Sequence, residues 1–337
     1  MKNIKKLCLI AALGAMVMGG SLLPSTTAYA ATTYTVSASG TSLATAISKA
    51  TSGDTINIVG TVKSGTITVP AGVTITGKSG SGKVNFSSTS GSSGKGFSIK
   101  TNGSTITDLE IYGAADNGIY MEGSSNKLTN LKVHNNSDAG VQLSNGAANN
   151  TLTNVYSYNN ADVATNGENA DGFAIKLHSG TGNKLISCTS EGNSDDGYDL
   201  YAAHGAVTFT SCKAINNGSC SGVKGDGNGF KLGGVDNKTS GVAAHLDPLN
   251  HVLTNCTASG NTGAGFDRNN QNGVVTMKGC IATNNTKGNY SWPLTGTPSA
   301  LGYKVTFAKA IINSCTSSGG GTNDLTGATV TNSPTVK

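Results

Sequence analysis

Apolar positions along this chain come in short bursts that repeat. One phrase, apolar–Thr–x–apolar, then three or four residues, then Asn, recurs as LTNLKVHNN (128–136), LTNVYSYNN (152–160), LISCTSEGN (185–193), FTSCKAINN (209–217), LTNCTASGN (253–261) and MKGCIATNN (277–285). Its fourth residue is Leu131, Val155, Cys188, Cys212, Cys256 and Cys280, and successive copies lie 24, 33, 24, 44 and 24 residues apart. A base period of 24 with insertions marks a solenoid, in which each unit buries its apolar side chains only by stacking on its neighbours. A second phrase, Gly then an apolar residue, follows each first one: Gly118-Ile119, Gly140-Val141, Gly172-Phe173, Gly197-Tyr198, Gly229-Phe230 and Gly265-Phe266. Each period therefore holds at least two short strands, with room for a third in the remainder.

The expected fold is all-β: a parallel β-helix solenoid. Stacked strands lie ~4.8 Å apart, so residues at one repeat position form a column. Asn136, Asn160, Asn193, Asn217, Asn261 and Asn285 read as an asparagine ladder at a turn. Cys188, Cys212, Cys256 and Cys280 take the inward place of Leu131 and Val155, which predicts buried small hydrophobes rather than disulfides. Cys220 lies off that column and has no assigned role. Residues 42–50 predict a short helix with Leu43, Ala46 and Ile47 on one side, placed to cap the open end of the core.

Composition agrees with this picture. The chain has 47 glycines and 6 prolines, with only 12% charged and 36% hydrophobic residues, low for a packed globule; the regular placement of the apolar residues excludes disorder. At the start, Lys2, Lys5 and Lys6 precede an apolar run over 7–18 and the small-x-small triplet Ala28-Tyr29-Ala30. That pattern predicts a signal peptide over 1–30, a mature single domain over 31–337 and a secreted protein. Without those residues the formal charge falls from +5 to +2, so no nucleic-acid or membrane partner is implied, and a monomer is the expected state.

Because charge is scarce, its clustering carries information. The densest cluster is Glu191-Gly-Asn-Ser-Asp195-Asp196-Gly197-Tyr198-Asp199, one coil after Asp171-Gly172-Phe173. Aligned on the glycine, Asp171 and Asp196 share one position. Asp199 stands two after it, where the next coils carry Lys231 and Asp267. The residue one after the glycine is apolar and inward, so two after is outward. Asp171, Asp195, Asp196 and Asp199 thus form a patch on adjacent coils, with Lys231 one coil spacing from Asp199. Four crowded carboxylates call for a counter-ion, and a hard oxygen-binding cation such as Ca2+ suits them. The insertions, around 161–170 and within 218–228 and 234–250, flank this patch as loops often flank sites.

The segments DGFAIKL, EGNSDDGYDLY, GNGFKLGG and TASGNTGAGFDRNN resemble those of pectate lyases in polysaccharide lyase family 9, from about residue 32 to about 315. The resemblance implies a right-handed parallel β-helix and a calcium-dependent β-elimination on polygalacturonate. It implies Asp171, Asp195, Asp196 and Asp199 as calcium ligands and Lys231 as the catalytic base, the residues the columns select independently. Arg268, the only arginine in the chain, is the expected grip for a uronate carboxylate. Lys176, outward by alternation on the coil of Asp171, is the expected second one. The histidines 178, 204, 245 and 251 show no metal-ligand spacing and read as surface residues. Tyr290 and Trp292 read either as sugar-stacking groups or as a cover for the last coils. Two rivals remain on the same fold: a glycoside hydrolase or a lyase of another uronate polymer, and a non-enzymatic adhesin.

Overall fold

A computed structural model describes residues 30–78 and 81–337. The signal peptide expected over 1–30 falls outside the described residues except for Ala30. Residues 32–337 form one compact unit. Among the described residues the strands make a nineteen-stranded sheet, a nine-stranded sheet and a small antiparallel pair; every pairing within the two large sheets is parallel. Successive coils pair in register, for example Leu128 with Leu152 and Leu185 with Phe209, as a parallel β-helix requires.

From its third copy on the first repeated phrase contains two strands, and in its first two copies one eight-residue strand carries the same bend; this supplies the third strand of the coil. Thr189–Glu191 follows Lys184–Ile186 after a bend at Ser187, and the bend recurs at Asn130, Asn154, Ser211 and Asn255 with φ of 52–54°. Left-handed backbone is tolerated by Asn far better than by branched residues, so the phrase turns a corner there. A second corner uses the residue before each ladder asparagine: Asn135, Asn159, Gly192, Asn216, Gly260 and Asn284 all have φ between 51° and 67°. The Asn-Asn or Gly-Asn doublet therefore encodes one residue that bends the chain and one that bridges coils.

The bridging residues form the predicted ladder. Each buried amide donates to the side-chain oxygen of the next, as from Asn193 to Asn217 at 2.9 Å and from Asn217 to Asn261 at 3.0 Å. The same oxygens accept the backbone N–H of the preceding ladder asparagine, from Asn193 to Asn217 and from Asn217 to Asn261, so those turn donors are paired. A second, shorter ladder runs through Asn126, Asn150 and Asn183. The glycine of the second phrase is required by close approach: a Cβ on Gly197 would lie 2.5 Å from the Gly229 carbonyl oxygen.

Inward of that glycine, Phe173, Tyr198, Phe230, Phe266 and Tyr290 stack with ring centroids 5.0, 4.5, 5.0 and 5.3 Å apart. Cys188, Cys212, Cys256, Cys280 and Cys315 are buried free thiols in the opposite column. The helix is Leu43–Lys49, capped by the Ser42 hydroxyl, which accepts from the Thr45 N–H; Leu43 and Ala46 are buried on the first coil. Trp292 and Tyr290 are fully buried, which settles them as part of the core.

Candidate functional site

The nine-stranded sheet carries the site on its outer face. Its register pairs Ala174 with Asp199, Asp199 with Lys231 and Lys231 with Asp267, the outward column that the glycine alignment predicts. One position before the glycine, Asp171 and Asp196 lie side by side and buried, and the Asp196 N–H donates to Asp171 Oδ1 at 3.2 Å.

The insertions complete the cluster. Asp195 Oδ2 accepts the Asn169 N–H at 2.9 Å, and its Oδ1 accepts the Asp226 N–H at 2.8 Å, so one carboxylate ties both inserted loops to the sheet. The second loop thereby delivers Asp226, an acid the sequence reading missed. The only hint was its place five residues before Lys231 in a glycine-rich insertion, outside the repeat alignment. Lys231 Nζ sits 3.0 Å from Asp196 Oδ2 and 2.9 Å from Asp226 Oδ2, and so pairs with neither Asp199 nor Asp267. A cleft of about 260 Å³, walled by Tyr201, Asp226, Lys231, Val235, Asn237 and Asn269, opens beside it.

Two residues assigned to substrate from sequence sit elsewhere. Lys176 is outward but buried within the acid cluster, with Nζ 2.8 Å from Asp171 Oδ2 and 3.1 Å from Asp199 Oδ2. Its charge is committed to those carboxylates. Arg268 is a clearer correction. It is 1% exposed, and its guanidinium donates to the carbonyl oxygens of Gln271, Ala308 and Gly327 at 2.7–2.9 Å. It also lies 5.0 Å from both the Trp292 and the Phe307 ring. It follows the outward Asp267 and so turns inward, in line with Leu200 and Leu232; it fastens the final coils and does not face the groove.

Electrostatics follow from crowding. Five carboxylates, Asp171, Asp195, Asp196, Asp199 and Asp226, meet two ammonium groups. Burial pushes the carboxyls of Asp171 and Asp196 well above the usual range; Lys176 and Lys231 relieve part of that, and the neighbouring acids add to it. Burial acts the same way on Asp199, but there Lys231 and Lys176 prevail and hold it below that range. For Lys231, burial opposes the charge, yet Asp199, Asp196 and Asp226 together raise its pKa above the ordinary lysine value.

The surplus of negative charge fits a bound cation. Asp171, Asp196 and Asp199 offer oxygens all within 4.8 Å of one another, and so do Asp195, Asp196 and Asp226. Asp196 Oδ2 is buried and receives no well-directed hydrogen bond, even with Lys231 3.0 Å away. An all-oxygen set with a free carboxylate lone pair suits a hard divalent cation.

Comparison with known proteins bears on the same region. A family described as "Pel9A-like, right handed beta helix region" matches residues 24–300. The chain belongs to this family. The crystal structure of pectate lyase Pel9A matches with a TM-score of 0.72 at 27% identity, covering 88% of this chain and 78% of that one. Pectate lyase L of Thermoclostridium stercorarium is 44% identical over 129 residues, 36% of this chain and 10% of that protein. Pectate lyase L of Dickeya dadantii (strain 3937) is 41% identical over 116 residues, 33% of this chain and 25% of the relative. The matched stretch thus spans a quarter or less of these two relatives. A rhamnogalacturonan lyase matches with a TM-score of 0.77 at 21% identity, a likeness of fold alone. Membership of the Pel9A-like family fixes the helix as right-handed, as the family resemblance implies.

Proposed function

We propose that this protein is a secreted, calcium-dependent pectate lyase that cleaves polygalacturonate by β-elimination. The observation that carries the reading is the register pairing of Asp199 with Lys231, beside Asp171 and Asp196, in a Pel9A-like β-helix. Relatives named pectate lyase support the substrate class. The basic, apolar and small-residue pattern at the N-terminus supports secretion. Among the described residues no helix is long and apolar enough to cross a membrane.

Asp171, Asp196 and Asp199 would hold calcium, with Asp195 as a further ligand that also tethers the loops. Held there, calcium would supply positive charge beside the substrate C6 carboxylate and so make the neighbouring C5 proton more acidic. Lys231 accepts that proton at Nζ. As the C5–H bond breaks, its electron pair forms the C4=C5 double bond. The C4–O4 bond breaks, and O4 leaves with its pair to be protonated by solvent. Lys231 must be neutral to do this, and the acids around it resist that. Turnover should therefore rise with pH into the alkaline range. Lys176 acts as a positioning residue that keeps Asp171 and Asp199 together.

The test is ultraviolet absorbance of polygalacturonate mixed with the protein, with calcium and then with a chelator. Rising absorbance that the chelator abolishes is the expected outcome. New reducing ends without absorbance, indifferent to chelator, would mean hydrolysis and overturn the reading. An inverting hydrolase needs its two carboxyls ~6.5–9.5 Å apart to admit water, whereas Asp171, Asp196 and Asp199 bring one oxygen each within 4.8 Å of the others.

A further inference from the structure

A second convergence of ligand-type side chains lies beyond the carboxylate–lysine site, on the far wall of the cleft. His204 stands on the turn that follows Tyr198–Asp199. Asp236 and His245 face each other as an antiparallel bridge within the 234–250 insertion, with backbone hydrogen bonds of 2.9 and 3.0 Å in both directions. Asp247 follows two residues later. These four bring one ligand atom each to within 4.8 Å of all the others. The histidines are 41 residues apart in sequence and on different coils, so no local spacing announces them.

The distances have the scale of a tetrahedron. His204 Nε2 lies 3.0 Å from Asp236 Oδ2 and 3.7 Å from Asp247 Oδ2. His245 Nε2 lies 3.9 Å and 3.6 Å from the same two oxygens. Four nitrogen and oxygen ligands at about 2.0–2.1 Å from a zinc ion stand about 3.3–3.4 Å from one another. The observed separations bracket that value.

The orientation of each group points the same way. His245 Nδ1 is 3.0 Å from the Ala243 carbonyl oxygen, to which it donates. With Nδ1 donating, Nε2 is the atom that His245 turns toward the two carboxylates, where a proton or a metal ion stands between nitrogen and oxygen. Asp247 Oδ2 is shielded from solvent and receives no hydrogen bond. Asp236 is buried and oriented by the backbone N–H groups of Lys238 and Thr239 on Oδ1, at 2.8 and 3.1 Å, and by the Thr239 hydroxyl on Oδ2. His178 stands outside the four, with Nε2 3.1 Å from the Thr239 hydroxyl and 3.4 Å from Asp236, its ring packed on His204. Such outer partners are typical of metal centres.

We propose that His204, Asp236, His245 and Asp247 form a closed structural site for a divalent transition ion of the zinc class. Two imidazoles and two carboxylates suit such an ion, whereas calcium takes six to eight oxygens. The ion pins the 234–250 insertion to the coil of His204. That insertion supplies Val235 and Asn237 to the cleft beside Lys231, and the Tyr201 hydroxyl donates to Asn237 Oδ1 at 2.6 Å. The centre is thus a clip that sets one wall of the groove, and its existence does not depend on the reaction proposed above.

The experiment uses the full chain, stripped of metal by chelator and then saturated with calcium to fill any oxygen-only site. Zn2+ is titrated by calorimetry and Co2+ by visible absorbance. The expected result is one Zn2+ per chain, undisturbed by calcium, and the intense d–d bands of four-coordinate Co2+. His204→Gln or His245→Gln should weaken Zn2+ by more than the 10–100-fold that losing an outer partner costs. Zn2+ should raise the unfolding temperature of the parent chain and not that of the double variant carrying both His204→Gln and His245→Gln, whose fold is checked by circular dichroism. Zn2+ that calcium displaces, weak six-coordinate Co2+ bands, or equal binding by the double variant would each overturn the proposal. So would failure of the parent chain to bind Zn2+, which would leave the four residues as a histidinium–carboxylate network.

Discussion

Replacing Asn217 by alanine tests whether the buried ladder holds the coils together. Its Oδ1 accepts from Ser190 Oγ at 3.0 Å, from Asn193 Nδ2 at 2.9 Å and from the Asn193 N–H at 3.2 Å. Its Nδ2 donates to Asn261 Oδ1 at 3.0 Å and to the Ser190 carbonyl at 3.4 Å. Alanine leaves the Asn193 N–H buried with no acceptor, at about 1–3 kcal/mol, and removes four further bonds whose net worth is about 0.5–1 kcal/mol each where the partner keeps another contact. Partial compensation by the Asn193 amide and the rotating Ser190 hydroxyl brings the expected loss to about 3–5 kcal/mol. The control is Asn154→Gly. Asn154 belongs to an exposed column, donating to Asn130 Oδ1 at 2.8 Å, and glycine keeps its φ of 52°; water replaces the lost bond, so the cost should stay below about 1 kcal/mol. Urea unfolding in excess calcium reads the two midpoints. Amide exchange should show protection lost around residues 185–233 before the N-terminal coils, because a solenoid couples only neighbours. Equal midpoints for the two variants, or an Asn217→Ala loss under 1 kcal/mol, would refute the idea that the ladder is a main source of cohesion.

Other outcomes follow from the site and the core. Lys231→Ala should lower turnover of polygalacturonate by about 10²–10⁴-fold with calcium binding retained; calorimetry separates the two. Asp226→Asn removes an acid 2.9 Å from Lys231 Nζ that raises its pKa, so the rise of the pH–rate profile should move to lower pH, and an unmoved profile would exclude Lys231 as the titrating base. Arg268→Met should lower the unfolding midpoint by several kcal/mol, because three buried carbonyls lose their donors; a higher KM at unchanged stability would restore Arg268 to the groove. His251 is buried, its Nδ1 accepting the Val207 N–H, and burial pulls its pKa down to about 3. Between about pH 6.5 and pH 3 the unfolded chain therefore binds a proton that the folded chain does not. Stability from this group is complete above pH 6.5 and falls as pH drops, by about 1.4 kcal/mol per unit. Urea midpoints at pH 7 and pH 5 should show that loss in the parent chain and not in His251→Gln.

The columns were legible because a solenoid converts sequence period directly into spatial neighbours. The first phrase placed the asparagine ladder, and counting from the glycine of the second placed the inward core column and the Asp199–Lys231 pairing. The same count also contained the answer for Arg268: three after the glycine is inward, as Leu200 and Leu232 are, and its rarity was the misleading cue. For Lys176, alternation gave the correct face; what it could not give was that Asp171 and Asp199 would close around the ammonium group. Asp226 and the His204–Asp236–His245–Asp247 group lie on or against insertions, where no repeat fixes a register. Their positions depend on loop contacts such as Asp195 with the Asp226 N–H, which only three-dimensional packing reveals.

The thiol column has a consequence for how this molecule would behave outside a cell. Five sulfhydryls lie sealed in the core, and Sγ of Cys212 donates to carbonyl oxygens of its own and the preceding coil. Maturation therefore calls for no oxidising machinery, and a reducing medium should leave the fold unchanged. Cys220, half-exposed on its loop, is the one sulfhydryl among the described residues that a labelling reagent can reach without opening the helix. The other five become a built-in clock: the rate at which each takes up label reports how often its own coil comes apart.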